Sequence, residues 1–217
     1  MTILALEFSS SQRSVAVLRT GGAPITAEVV ETGERGANAF GMIEQALAKA
    51  KIEREQIGVL AVGLGPGSYT GIRAAISLAQ GWQLARGVEM LGVSSAEAIA
   101  AQARAEKILG RVDVVVDAQR NEFYLATYEI VPSGWGEITP LRILSLAEVQ
   151  SRATESGIII GPEATKWFPN GRIIFPRATA LAELAAHRSD FTPGEKLQPI
   201  YLRQTNFVKA SPVRDAN

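Results

Sequence analysis

Apolar positions near the start of the chain come in short runs and alternations rather than at helical spacing. Ile3–Phe8, Ser14–Thr20 and Ile25–Glu31 are rich in aliphatic residues and are separated by the polar Ser9–Arg13 and by Gly21-Gly22. The pattern predicts three antiparallel strands joined by tight turns. From Gly36 to Lys51 the period changes, with Phe40, Ile43, Leu47 and Ala50 three and four residues apart, which predicts an amphipathic helix. Gly58–Leu64 is a short, nearly continuous apolar run, as in a strand buried on both faces. A glycine-rich turn, Gly65–Gly71, follows, then a helix over Ile72–Ala85, a strand over Val88–Val93 and a helix over Ser94–Ala105.

The second half opens with the same grammar. Val112–Val116 ends in Asp117, a polar turn covers Ala118–Asn121, and Phe123–Val131 returns as a strand, just as the first strand ends in Glu7 before its own polar turn. The echo is a weak internal repeat. Pro132–Gly136 and Pro140 read as loops, Leu146–Thr154 and Ala178–His187 as modest helices, and Gly157–Ile160 as a buried strand. Residues after Arg203 read as a frayed end. Three antiparallel strands followed by alternating helix and strand, given twice, predict an α/β fold. It has two ribonuclease-H-like lobes of the actin-like type, with mixed sheets and flanking helices. A boundary near residues 105–111 divides it into lobes 1–107 and 108–217.

Composition narrows the chemistry. The chain has 217 residues, 47% of them hydrophobic, enough for a substantial core. No apolar run reaches the roughly 20 residues of a membrane span, and the N-terminus lacks the basic region of a signal peptide, so a cytoplasmic protein is expected. Without cysteine there is no disulfide, thiolate nucleophile or Cys-ligated metal. Twenty-two basic residues balance 22 acidic ones, leaving no global positive field for an autonomous grip on nucleic acid. The single histidine, His187, falls near a helix C-terminus and reads as a surface or capping imidazole.

Several segments carry a resemblance. Ile3–Ser11 with Ser14–Val17, and above all Gly63-Leu-Gly-Pro-Gly-Ser-Tyr-Thr-Gly-Ile-Arg73, resemble the TsaB family, the dimerization subunits of tRNA threonylcarbamoyladenosine biosynthesis. Val116–Tyr124 is similar to that family's second-half strand and turn, and Pro199–Arg203 to its C-terminal signature. Two positions depart from the family pattern. Gly36-Ala37-Asn38 stands where a histidine-containing segment is common, and Glu7 stands where the first acid is usually Asp. The resemblance implies a catalytically silent subunit that pairs with a TsaD-type transferase and helps recruit a TsaE-type ATPase. It touches tRNA only indirectly and is open to forming a homodimer when alone. TsaD relatives hold a metal through two histidines on one helix, a pair this chain lacks.

Two sets of candidate residues follow. The helix after the glycine-rich turn is dense in small residues, which let another helix approach closely. With the first helix it forms the expected interface: Phe40, Ile43 and Leu47, then Tyr69, Thr70, Ile72, Arg73, Ala75, Leu78, Ala79 and Trp82, at roughly 800 Å² per partner. One face of each helix must nevertheless pack on the chain's own sheet. The second set is a nucleotide site formed by Glu7, Ser9, Ser10, Gly65, Gly67 and Asp117. In a duplicated actin-like fold the two acids would face each other across a cleft, and the turn's amides could cradle phosphate. The turn is not a Walker loop, since its glycine spacing differs and no Lys follows. It reads equally as a sharp turn capped by Ser68 or Thr70. No intrinsic cofactor is expected, with ATP or ADP and magnesium placed at the complex interface. The alternative is a small actin-fold ATPase or kinase using Glu7 and Asp117 with magnesium.

Overall fold

The computed structural model describes residues 1–21, 25–33, 38–155 and 157–203; the Gly36-Ala37 pair and the end after Arg203 lie outside them. The chain forms two five-stranded sheets of the same topology. In the first, β1 (Thr2–Glu7), β2 (Gln12–Arg19) and β3 (Ile25–Thr32) are antiparallel, and β4 (Val59–Gly63) and β5 (Glu89–Val93) add in parallel, in the order β3-β2-β1-β4-β5. In the second, β6 (Gly110–Asp117), β7 (Glu122–Val131) and β8 (Gly134–Ser145) are antiparallel, with β9 (Ile158–Gly161) and β10 (Arg172–Ile173) parallel beyond β6. The weak sequence echo thus marks a duplicated ribonuclease-H-like unit.

The helices are α1 (Ala39–Ala50), α2 (Tyr69–Arg86), α3 (Ser95–Ala105), α4 (Leu146–Glu155), the single turn α5 (Ala164–Trp167) and α6 (Ala178–Ala185). Strand alternation sorts the first sheet into two faces. Leu4, Leu6, Val15 and Val17 meet α1 and α2 through Met42, Ile43, Leu47, Ile72, Ala75 and Ala79. Ile3, Ala5, Ala16, Ala61 and Leu91 meet α6 through Ala178, Leu181, Ala182 and Ala185. Asn38 starts α1 by accepting from the Gly41 amide, and Lys51 ends it in the left-handed conformation.

Two helices cross the sequence boundary. α3, from the first half, packs Ala96, Ile99, Ala100 and Ala103 on Val112, Val114 and Val116 of the second sheet. α6, from the second half, covers the first sheet. Its N-terminus is drawn there by charge and hydrogen bonding. The Ala178 amide donates to Ser14 Oγ at 2.8 Å, and Glu28 of β3 accepts from the Thr179 amide and from Arg177. A carboxylate against exposed helix amides is favourable. The layers therefore run α1/α2, first sheet, α6 and α3, second sheet, α4/α5. The far face of the second sheet is closed by Val149, Ala164 and Phe168 over Val115, Phe123 and Leu125.

One expectation fails in the second half. Gly134–Gly136 and Pro140, read as loop, belong to the twelve-residue strand β8. Proline survives there because β8 is an edge strand and its register with β7 slips between Leu125 and Thr127, opposite Arg142 and Thr139. An edge bulge is where a residue without an N–H fits.

Because α6 closes the first sheet, Leu181→Ala should cost about 2–5 kcal/mol in urea unfolding. Native-state hydrogen exchange should accelerate first in β1, β2 and β4. Faster exchange confined to β6 and β7 would contradict this packing.

Candidate functional site

The glycine-rich segment owes its composition to close packing. A Cβ on Gly63 would lie 2.1 Å from Glu7 Oε2, one on Gly67 2.1 Å from the Ser9 carbonyl oxygen, and one on Gly71 2.0 Å from the Phe8 carbonyl oxygen. Gly65 and Gly67 also have positive φ, 88° and 146°, where side chains are strained. The loop is thus pressed onto the end of β1, and three of its amides are engaged. Gly65 N donates to Ser95 Oγ at 3.1 Å, Ser68 N to the Ser9 carbonyl at 2.6 Å, and Gly71 N to the N-cap Ser68 Oγ at 3.3 Å. These three amides are taken from the phosphate cradle expected of this turn, and Ser68 capping accounts for the helix start.

Glu7 sits beneath the loop, fully buried. Its carboxylate accepts from the Ser9 amide at 2.7 Å and from Ser95 Oγ at 2.9 Å. Burial raises its pKa, opposed by hydrogen bonds from Ser9 and Ser95. Asp117, its counterpart in the repeat, accepts from the Gln119 amide at 2.7 Å but remains partly exposed. The two acids therefore begin alike and end differently. The longer Glu7 reaches under the loop to the start of α3, whereas Asp117 stays at the cleft. Glu7 does not face Asp117 across open space, which corrects the two-acid expectation.

Between the lobes lies a cleft of about 1000 Å³. Ser9, Ser10 and Gly67 line one wall and Asp117 the other; Glu7 and Gly65 do not line it. The cleft also gathers Arg13, Tyr69, Tyr124, Glu163, Lys166, Tyr201 and Arg203. Glu163 stands just before α5 with one buried carboxylate oxygen that has no hydrogen-bond partner among the described residues. Burial, and then the nearby Asp117 carboxylate, raise its pKa. Sequence reading missed Glu163 and Lys166 because nothing local marks them. They come from the turn after β9, and only the sheet order brings that turn beside Asp117. Of the segment Gly157–Pro162, Pro162 reaches the cleft, while Gly161 is pressed against the Val115 carbonyl, 1.9 Å from where its Cβ would stand. Among the described residues no group of three or more His, Asp or Glu could hold a metal.

The expected helical interface divides sharply. Ile43, Leu47, Ile72, Ala75 and Ala79 are buried in the chain's own core and offer a partner no surface, while Leu78 and Trp82 are half-buried against it. Phe40 and Tyr69 are 71% and 56% exposed, and Thr70 and Arg73 are exposed too. The open face of α2 is instead Thr70, Arg73, Ala74, Ser77, Gly81, Leu84 and Ala85, with Leu84 89% exposed. A Cβ on Gly81 would meet nothing among the described residues.

The family model described as "TsaD: tRNA N6-adenosine threonylcarbamoyltransferase" matches residues 36–196. The tRNA threonylcarbamoyladenosine biosynthesis protein TsaB of Escherichia coli (strain K12) is 27% identical over 234 aligned positions, covering 99% of this chain and 100% of that protein. Its namesake from Haemophilus influenzae is likewise 27% identical, covering 99% of each. The crystal structure of YeaZ from Pseudomonas aeruginosa superposes with a TM-score of 0.79 at 26% identity, over 93% of this chain and 99% of that one. The chain belongs to this family, on its TsaB branch. Within the TsaB branch, then, the loop that carries the recognisable sequence is a packing device around a buried acid, and the polar cleft and the α2 face are separate surfaces.

Two measurements test the loop. Gly71→Ala should destabilise by about 1–3 kcal/mol or more, since backbone must move. In the Glu7→Gln comparison, the raised carboxyl pKa means that the folded chain holds its proton longer than the unfolded one. The parent's stability should therefore fall, relative to the variant's, as pH rises above the ordinary 4.5 toward the folded value. A parent-to-variant difference that grew with pH in that window would contradict the assignment.

Proposed function

We infer that this chain is the non-catalytic subunit of the tRNA threonylcarbamoyladenosine modification complex, and that it dimerizes with and supports a TsaD-type transferase. The names of the full-length relatives and the matching family model support the pathway. The observation that carries the subunit role is the outer face of α2. Glycine inside a helix costs about 1 kcal/mol against alanine, and at Gly81 no atom of the described residues requires it. Together with exposed Ala74, Ser77 and Ala85 it leaves a helix surface low enough for a second helix to approach at the usual 8–10 Å. Leu84 supplies an exposed apolar contact on α2, and Phe40 is an exposed apolar side chain on α1.

On this reading the transferase supplies the chemistry and the main tRNA contact, and a TsaE-type ATPase joins the assembled pair. The same α2 face supports a homodimer when the chain is alone. Any ATP or ADP with magnesium belongs at the boundary with partner subunits, because Glu7 is sealed from the cleft and the Gly65, Ser68 and Gly71 amides are engaged. That sealing also weighs against the alternative of a small ATPase or kinase working through Glu7 and Asp117. Among the described residues no helix is long and apolar enough to cross a membrane, and work on tRNA suits the cytoplasm.

Co-purification with the cognate TsaD-type protein tests the reading. Ala74→Arg and Leu84→Glu should each weaken association by about tenfold or more, a loss of about 1.4 kcal/mol, with the variants' melting temperatures unchanged. Gly81→Ala should stabilise the isolated chain by roughly 0.5–1 kcal/mol while weakening the pair. Parent-like affinity in all three would overturn the α2 interface. ATP turnover by the isolated chain that is lost in Asp117→Ala would favour the enzyme.

A further inference from the structure

After α6 the chain turns back along the first lobe and then leaves it. Gly194 is held from both sides by α2, its amide donating to Gln83 Oε1 at 2.9 Å and its carbonyl accepting from Gln80 Nε2 at 2.8 Å. Leu197 is buried in the core shared by the first sheet, α1 and α2. The Ile200 amide donates to the Leu64 carbonyl at 2.8 Å, at the entrance to the glycine-rich loop. Tyr201 then stacks on Tyr69, the first residue of α2, with ring centroids 5.4 Å apart at 28°. Arg73 donates to the Tyr69 hydroxyl at 3.0 Å and lies over its ring.

Two residues later the chain is bonded to the other lobe. Arg203 donates to the carbonyls of Ala118 and Gln119 at 2.8 and 3.3 Å and pairs with the Glu122 carboxylate. Glu122 is thus a partner of the C-terminal segment. The turn that receives Arg203 is unusual. Gln119, Arg120 and Asn121 all have left-handed backbone, with φ of 65°, 61° and 59°. Each such non-glycine residue costs roughly 1–2 kcal/mol. Besides Arg203, the turn is held by the Gln119 amide on Asp117, the Glu122 amide on the Gln119 carbonyl and the Leu146 amide on the Asn121 carbonyl.

We propose that residues 197–203 are an inter-lobe strap. It is anchored in the first core by Leu197, stacked on the start of α2 by Tyr201, and clamped to the left-handed turn of the second lobe by Arg203. The strap runs along the mouth of the cleft, which Tyr69, Gln119, Tyr201 and Arg203 all line. It therefore fixes the separation of the cleft walls, and it ties that separation to the position of Tyr69 and Arg73 at the open end of α2. An event on that face, such as a partner packing against Tyr69, changes the strap and through it the cleft. A guanidinium making charge-assisted bonds to two carbonyls and a carboxylate is suited to hold a strained turn.

The chain has no cysteine, so paired labels enter cleanly. Ser11→Cys and Lys166→Cys, exposed on opposite walls of the cleft, carry spin labels for distance measurement by double electron–electron resonance in the full chain. Arg203→Ala and Tyr201→Ala should each broaden the inter-lobe distance distribution. Tyr201→Phe, which keeps the stack, should leave it as in the parent. Arg203→Ala should also speed exchange of the Glu122 and Leu146 amides by about tenfold or more. Superimposable distributions in the parent and both alanine variants would overturn the strap. So would faster exchange in the turn with no change in distance, because Arg203 would then staple its own turn and nothing more. These readouts need no partner, so they stand or fall separately from the proposed pairing with a transferase.

Discussion

The rest of the molecule depends on the contact between the Gly63–Gly71 loop and the end of β1. Three glycines lack side chains where any Cβ would overlap the backbone of Phe8 or Ser9 or the carboxylate of Glu7. Their absence lets the loop descend far enough for Ser95, at the start of α3, to bond both Gly65 and Glu7. One buried carboxylate thereby joins the first strand, the loop before α2 and the helix that leads into the second lobe. Burial of such a group is tolerated because its oxygens have partners.

From that junction follows the way the lobes interlock. α3 starts under the first lobe's loop and lies on the second sheet, while α6 returns to cover the first. Each sheet therefore depends on a helix from the opposite half of the chain, and each half closes only one face of its own sheet. This exchange leaves α2 with one face on the first sheet and the other uncovered. The two roles expected of α2, core and interface, are carried by residues on opposite sides of the same helix. Ala75 and Ala79 are small because the sheet is close, and Ala74, Ser77, Gly81 and Ala85 are small on the other side, which the described residues leave exposed.

The cleft and the helical face meet at Tyr69. It heads α2, lines the cleft, stacks on Tyr201 and accepts from Arg73. The proposed pairing on α2 and the geometry of the cleft thus share a physical element. A subunit can transmit the state of one surface to another through such an element when the strap has two arrangements to choose between.

Periodicity alone determined the strands of both sheets near their starts, the two long helices of the first half and the duplicated order. These features rest on local alternation and on helical spacing, which the chain carries residue by residue. Composition fixed the absence of thiol chemistry, and the segment from Gly63 to Arg73 carried the family. Only the tertiary structure decided which face of α2 is buried, because a small residue reads the same whether a sheet or open solvent lies beyond it. It also sent Glu7 under the loop and left Asp117 at the cleft, a difference of one methylene amplified by where Ser95 stands. β8 was hidden by its proline and glycines, whose meaning depends on lying at a sheet edge. Glu163, Lys166 and the reach of Arg203 to the Ala118–Glu122 turn were hidden for a further reason. Residues 80 or more apart meet there only because two sheets and an exchanged pair of helices hold their ends together.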